Sequence, residues 1–331
     1  MRKPLRRSVV MATTPTIASY LFVLTCVFWI NSTVCRAASQ EPVHSSQNKF
    51  ATFVTDWGSS SRHARRRAEE ALPLQQMAES DQLAIQKSLQ STTLYRRLPV
   101  ELFACDGDLL AFSLDKPEAI VDIWRLLGIS RLSLDPTGPD QWQFSDGYGT
   151  VGQLRLAYRE QRQNGGMLVF HGKGAYTGPL SPKNLTGGCV LMVRYREAEP
   201  TVDGRLRQAI QVDAFLDMDG IGLEIVTRTL QPLIARSAAA NLHEICLFMA
   251  SLSDATIANP HAVATLAGRL TRTSESDRKK LATIASTVSS RRNARPNHLA
   301  DNEGNVNADQ VSVDLASRWL PSDELDHFQK Q

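Results

Sequence analysis

The sequence predicts an α+β fold in which a curved antiparallel sheet packs on a long carboxy-terminal helix. Three observations predict it. Leu206–Asp217 alternates, so that Leu206, Gln208, Ile210, Val212, Ala214 and Leu216 share one face of a strand, because strand side chains point to opposite faces in turn. Beyond a turn at Asp219-Gly220, the residues Leu223, Val226, Leu230, Leu233, Ile234, Leu242, Ile245, Met249 and Leu252 recur at three- and four-residue steps, the period of a helix with one buried stripe. Upstream, strand-like segments at Trp142–Ser145, Val151–Gln161, Met167–Tyr176 and Cys189–Glu197 are separated by turn signals such as Asp146-Gly147, Asn164-Gly165-Gly166 and Asp203-Gly204. Short strands so spaced favour an antiparallel meander.

The chain opens on a targeting segment. Arg2, Lys3, Arg6 and Arg7 precede the apolar run Ile17–Ile30, and the small pair Ala37-Ala38 comes after it. That order describes a secretory signal peptide, and the run falls short of the roughly 20 residues that a comfortable span needs. The alternative is an uncleaved amino-terminal anchor, a membrane-bound transmembrane helix. Either way the protein is expected to be exported across the cytoplasmic membrane, as a periplasmic or secreted protein or an anchored one. Loss of residues 1–38 takes the formal charge from +3 to −2, so no footprint for nucleic acid remains beyond the short cluster Arg62–Arg67. Membrane contact is expected through the amino-terminal segment; the Arg62–Arg67 cluster reads as a solvated helical face, with contact on anionic lipid as its alternative. Three cysteines lie beyond that segment, Cys105, Cys189 and Cys246, and an odd number cannot all pair within one chain.

Residues 39–60 are polar and aperiodic. The run from Ser61 to Ser91 is rich in Ala, Glu, Gln, Arg and Leu, a helix-favouring mixture with sparse apolar positions, and it reads as a weak helix outside the core. The folded domain is expected to begin near Leu98-Pro99, with Asp108–Leu114 as its first strand. Asp115-Lys-Pro-Glu118 then supplies a capped helix start, Ile120, Val121, Trp124, Leu126 and Leu127 a buried face, and Gly128 the stop. Leu154, Leu156 and Tyr158 alternate with Gln153, Arg155 and Arg159, as in a sheet covered on one face. After Pro260 a further helix is expected, then a polar stretch over 290–310 without packed structure, then a small apolar cluster at Val311, Val313, Leu315, Trp319 and Leu320. The expected organisation is a signal peptide or anchor at 1–38 and a polar linker with a weak helix at 39–98. The α+β domain occupies 99–258, and a helical, then disordered, tail occupies 259–331.

The element order over 99–258 resembles the helix-grip domains of the START-like and polyketide-cyclase-like superfamily. By that resemblance a curved sheet wraps the last long helix, and an apolar ligand lies between them. One helix stands after the first strand where two are usual, and Pro232 is expected to break or kink the long helix. The cavity so implied takes His171, Tyr195 and Asp213 as its polar candidates, with Leu233, Leu242 and Met249 from the helix stripe. Period-two alternation puts Arg194 and Tyr195 on opposite faces.

No motif carries chemistry. His243-Glu-Ile-Cys246 has neither Cys-x-x-Cys nor His-Glu-x-x-His spacing, so no metal is expected. Asp217-Met-Asp-Gly220 shares a fragment of a calcium loop, but Phe215 and Val226 would fall at its end ligands. His171-Gly-Lys-Gly174 lacks the rest of a phosphate loop. Asp213 and Glu224 read as acids flanking a turn. The expected function is cofactor-free, non-catalytic binding of an apolar small molecule or lipid. The alternatives are an enzyme using the same cavity and an envelope structural or interaction protein with a packed core.

Overall fold

The computed structural model describes residues 58–176, 185–201, 204–219, 223–293, 307–320 and 325. The expected signal peptide or anchor lies outside them. No helix among the described residues is long and apolar enough to cross a membrane.

Eight strands form one open antiparallel sheet. In chain order the elements are α1 (Arg62–Ala71), α2 (Glu79–Gln90), β1 (Thr92–Arg97), β2 (Glu101–Ala104), α3 (Gly107–Asp115), α4 (Pro117–Leu126), β3 (Ser133–Gly138), β4 (Gln141–Ser145), β5 (Thr150–Arg162), β6 (Gly165–Tyr176), β7 (Leu185–Ala198), β8 (Arg207–Asp219), α5 (Leu223–Ala258), α6 (Pro260–Gly268), α7 (Glu275–Asn293) and α8 (Ala308–Ala316). Strands β3 to β8 form an antiparallel meander, of which β4 to β8 are the strands that the turn signals imply. Strands β1 and β2 share the outer edge of β8, one on residues 213–217 and the other on 207–210. Between them the amide of Leu98 bonds the carbonyl of Val212 at 2.8 Å.

The sheet is covered on both faces. Leu191 and Val193 of β7 join Leu168, Phe170, Val212, Ala214 and Leu216 in the main core. Val190 and Met192 join Val169 and Phe215 in a second core, closed by Ala64, Ala68 and Leu72 of the α1 region and Ile85 of α2. The run Cys189-Val-Leu-Met-Val193 has no polar face because over these residues neither face of β7 meets water. One-sided alternation holds in β4 and in the first half of β5, until a bulge between Leu156 and Tyr158 shifts the register. A bulge inserts an unpaired residue and turns the next side chains to the opposite face. Leu156 therefore packs in the main core, while Tyr158 crosses to the second and bonds Gln76 Oε1 at 3.0 Å.

The structure departs from several sequence expectations. The run from Ser61 to Ser91 is not peripheral, since its two helices close the second core and β1 pairs with β8. Their apolar positions are few because each helix covers a narrow strip of sheet. Asp108–Leu114 is helical: Asp106 accepts the amide of Asp108 at 2.9 Å and caps α3, and short apolar runs are ambiguous between strand and helix. Asp115 ends that helix, so α4 starts on Lys116 without a side-chain cap. The stop at Gly128 is as expected. With φ of 71°, it lets the amides of Gly128 and Ile129 bond the carbonyls of Arg125 and Trp124, a Schellman closure. Helix α5 runs unbroken through Pro232. Its Ala238, Leu242, Cys246, Phe248, Met249 and Leu252 enter the main core. The carboxy-terminal cluster docks, with Val311, Leu315, Ala316 and Trp319 buried and the Trp319 ring 5.6 Å from Phe248. Residues 294–306, within the stretch expected to lack packed structure, lie outside the described residues, but α7 continues to Asn293.

Candidate functional site

Alternation and helical period together build a cavity of about 180 Å3 in the main core. Odd positions of β7 and even positions of β6 and β8 face the same side, which brings Leu191, Val193, Phe170, Ile210 and Val212 to its floor. Helix α5 contributes Leu242, Ile245, Cys246 and Met249, one per turn or half-turn of a single face. Helices α3 and α4 close the remaining side with Leu110, Ser113, Leu114, Pro117, Ile120, Val121 and Trp124. Leu114, Pro117 and Ile245 are half-buried where the rest of these wall residues are buried, which marks them as the rim.

The wall is almost wholly apolar. The Ser113 hydroxyl is already spent, donating to the carbonyl of Leu109 at 2.8 Å. Burial raises the Cys246 thiol well above the ordinary thiol range, so it stands there as a neutral, apolar group. Trp124 is different. Its indole N–H is buried without a hydrogen-bond partner among the described residues.

Of the residues expected at a cavity, Leu242 and Met249 line this one. The side chain of Leu233 lies outside the described residues. Tyr195 is on the same sheet face but opposite Gly166, beyond the wall. His171 and Asp213 are on the other face. The cavity wall and these two residues are therefore separated by the sheet. The aromatic and aliphatic positions of β6, β7 and α4 were missed as candidates. The signal for Phe170, Leu191 and Val193 was present in the alternation of their strands.

Asp213 is fully buried and holds a charged cluster on the sheet face opposite the cavity. It accepts from Tyr95 Oη at 2.6 Å, Arg97 Nε at 2.8 Å and Arg194 Nη2 at 2.6 Å. Burial, with the Asp213 carboxylate beside it, pushes the Tyr95 hydroxyl above the usual phenol range, so it remains a donor. His171 Nε2 lies 3.2 Å from Ser88 Oγ of α2. Burial, with Lys173 nearby, lowers its pKa, while Asp217 and Asp81 oppose that shift. Asp213 thus ties β1 to β7 and β8, and His171 ties α2 to β6.

Elsewhere His243 Nδ1 meets Glu101 Oε2 at 2.9 Å, joining α5 to β2. Cys105, Cys189 and Cys246 are free and buried. Burial pushes the Cys189 thiol up to about 12. No group of three or more His, Cys, Asp or Glu among the described residues could hold a metal ion. No protein-family model matches the chain, and no curated protein matches it. The antiparallel sheet with flanking helices is compatible with a helix-grip fold.

Proposed function

We propose that this protein is an exported, non-catalytic binder of a small apolar molecule, held between the sheet and α5 in a helix-grip arrangement. The cavity of about 180 Å3 carries the reading. A core packed to ordinary density leaves few voids larger than a water, and an apolar cavity of about 150 Å3 already stays dry and admits a single-ring ligand. The size favours a compact ring or one short alkyl chain over a two-chain lipid. The lining holds no acid or base, and burial keeps its one thiol, Cys246, neutral, which weighs against an enzyme using this space. Binding would require no cofactor.

The test is displacement of an environment-sensitive fluorophore, with Val193→Phe filling the cavity. Expected is saturable binding of small aromatic or C6–C10 ligands by the native protein, weakened at least about tenfold in the variant, since lost cavity space costs more than 1.4 kcal/mol. Equal binding by both proteins, with the variant folded by circular dichroism, would refute the cavity as the site.

A further inference from the structure

A second pocket, of about 310 Å3, lies where the end of α4 meets the turn between α6 and α7. Its walls are Asp122, Arg125, Leu126, Arg269, Thr271 and Arg272. We propose that it is a binding site for a phosphate-type oxyanion, such as a phosphomonoester group. It is independent of the apolar cavity, with which it shares no lining residue.

Local structure makes the arginines converge. Asp122, almost fully buried on α4, accepts through Oδ2 the amides of Arg272 and Thr273 at 2.8 and 2.9 Å and the Thr273 hydroxyl at 2.9 Å. Those bonds pin the α6–α7 turn against α4 and fix where Arg269 and Arg272 leave the backbone. The same three donors engage Oδ2 of the Asp122 carboxylate, which leaves three guanidinium charges against one carboxylate around the pocket. Arg125, in the last turn of α4, is bonded only through Nη1, to the carbonyls of Arg131 and Leu132 at 3.2 and 3.3 Å. Among the described residues it has no carboxylate partner and no bond through its other donors.

Arg269 and Arg272 pair with Asp309 and Asp135 at 2.6 and 2.7 Å. Both arginines and Asp135 are exposed and Asp309 is half-buried, and ion pairs at the surface contribute little, so a dianion can take the place of these carboxylates. Guanidinium groups present paired N–H donors that match a phosphate edge. Three of them around one pocket suit an anion and exclude a cation. The volume corresponds to about ten waters' share of the liquid. That is room for more than a bare ion, hence a phosphate carried on a small molecule or a lipid headgroup.

The test uses the full chain at fixed ionic strength, titrated with inorganic phosphate against chloride and followed by melting temperature and calorimetry. Vesicles containing phosphatidate form a second arm, read by cosedimentation. Two variants accompany it: Arg125→Gln, and Thr271→Glu, which places a carboxylate in the pocket from an exposed position without touching the packed core. Phosphate should raise the melting temperature of the native chain, and both variants should weaken its affinity roughly tenfold or more, the scale of one charged hydrogen bond. Vesicle binding that is likewise lost in the variants would assign the phosphate to a lipid, and its absence beside phosphate binding would assign it to a soluble ester. No response to phosphate or vesicles, or a response unchanged in Thr271→Glu, overturns the proposal.

Discussion

At the scale of single residues, the second core is fastened by two polar anchors set among apolar neighbours. Asp213 is wholly buried, yet three donors from β1 and β7 satisfy it, and such a group is tolerated only when so paired. His171, beside Ser88, is the anchor that senses pH. Its folded pKa lies below the ordinary value of about 6.5, so the unfolded chain binds the proton more readily. The stability it contributes is complete above about pH 6.5 and is lost as pH falls below that value. Urea midpoints at about pH 5 and about pH 7.5 should therefore differ in the native protein and converge in His171→Asn. An undiminished pH dependence in the variant would show that other groups carry it.

At the scale of elements, α5 has two kinds of buried position. Leu252 is fully buried outside the cavity wall, while Leu242 lines it. Truncating a packed leucine loses transfer energy and leaves a void, and the cost grows with the void. Leu252→Ala should cost about 3–5 kcal/mol and Leu242→Ala nearer 2, because one side of Leu242 already faces empty space. Urea unfolding of both measures the difference. Equal losses would mean that the cavity closes in solution. The stop at Gly128 and the turns of the meander were legible in sequence because each depends on a few adjacent residues. The helical state of Asp108–Leu114 was not, because the deciding cap lies outside that run, at Asp106.

At the scale of the whole molecule, residues 58–97 behave as part of the domain. A chain beginning at Leu98 keeps every strand except β1, yet it uncovers Val169, Val190, Met192 and Phe215. It also strips Asp213 of Tyr95 and Arg97. It should bind a hydrophobic dye strongly and lose its cooperative transition, whereas a chain beginning at Gly58 should melt as one unit. Dye binding by both would contradict this account, as would cooperative melting of the shorter chain. The expected boundary near Leu98 rested on composition, and composition does not record which surface a weakly apolar helix covers.

The sequence by itself determined the meander of β4 to β8 and the long helix after it, the stop at Gly128, and the placing of Leu242 and Met249 on one helix face. These depend on periods of two and 3.6 and on turn chemistry, which are local properties of the chain. Only the tertiary structure decided that the sheet is covered on both faces. It also put His171 and Asp213 opposite the cavity, and brought Arg125 together with Arg269 and Arg272. Each of these depends on which face of a strand or helix meets which distant neighbour. A single bulge, such as that at Leu156 and Tyr158, can reverse a face without leaving a mark in the residue pattern.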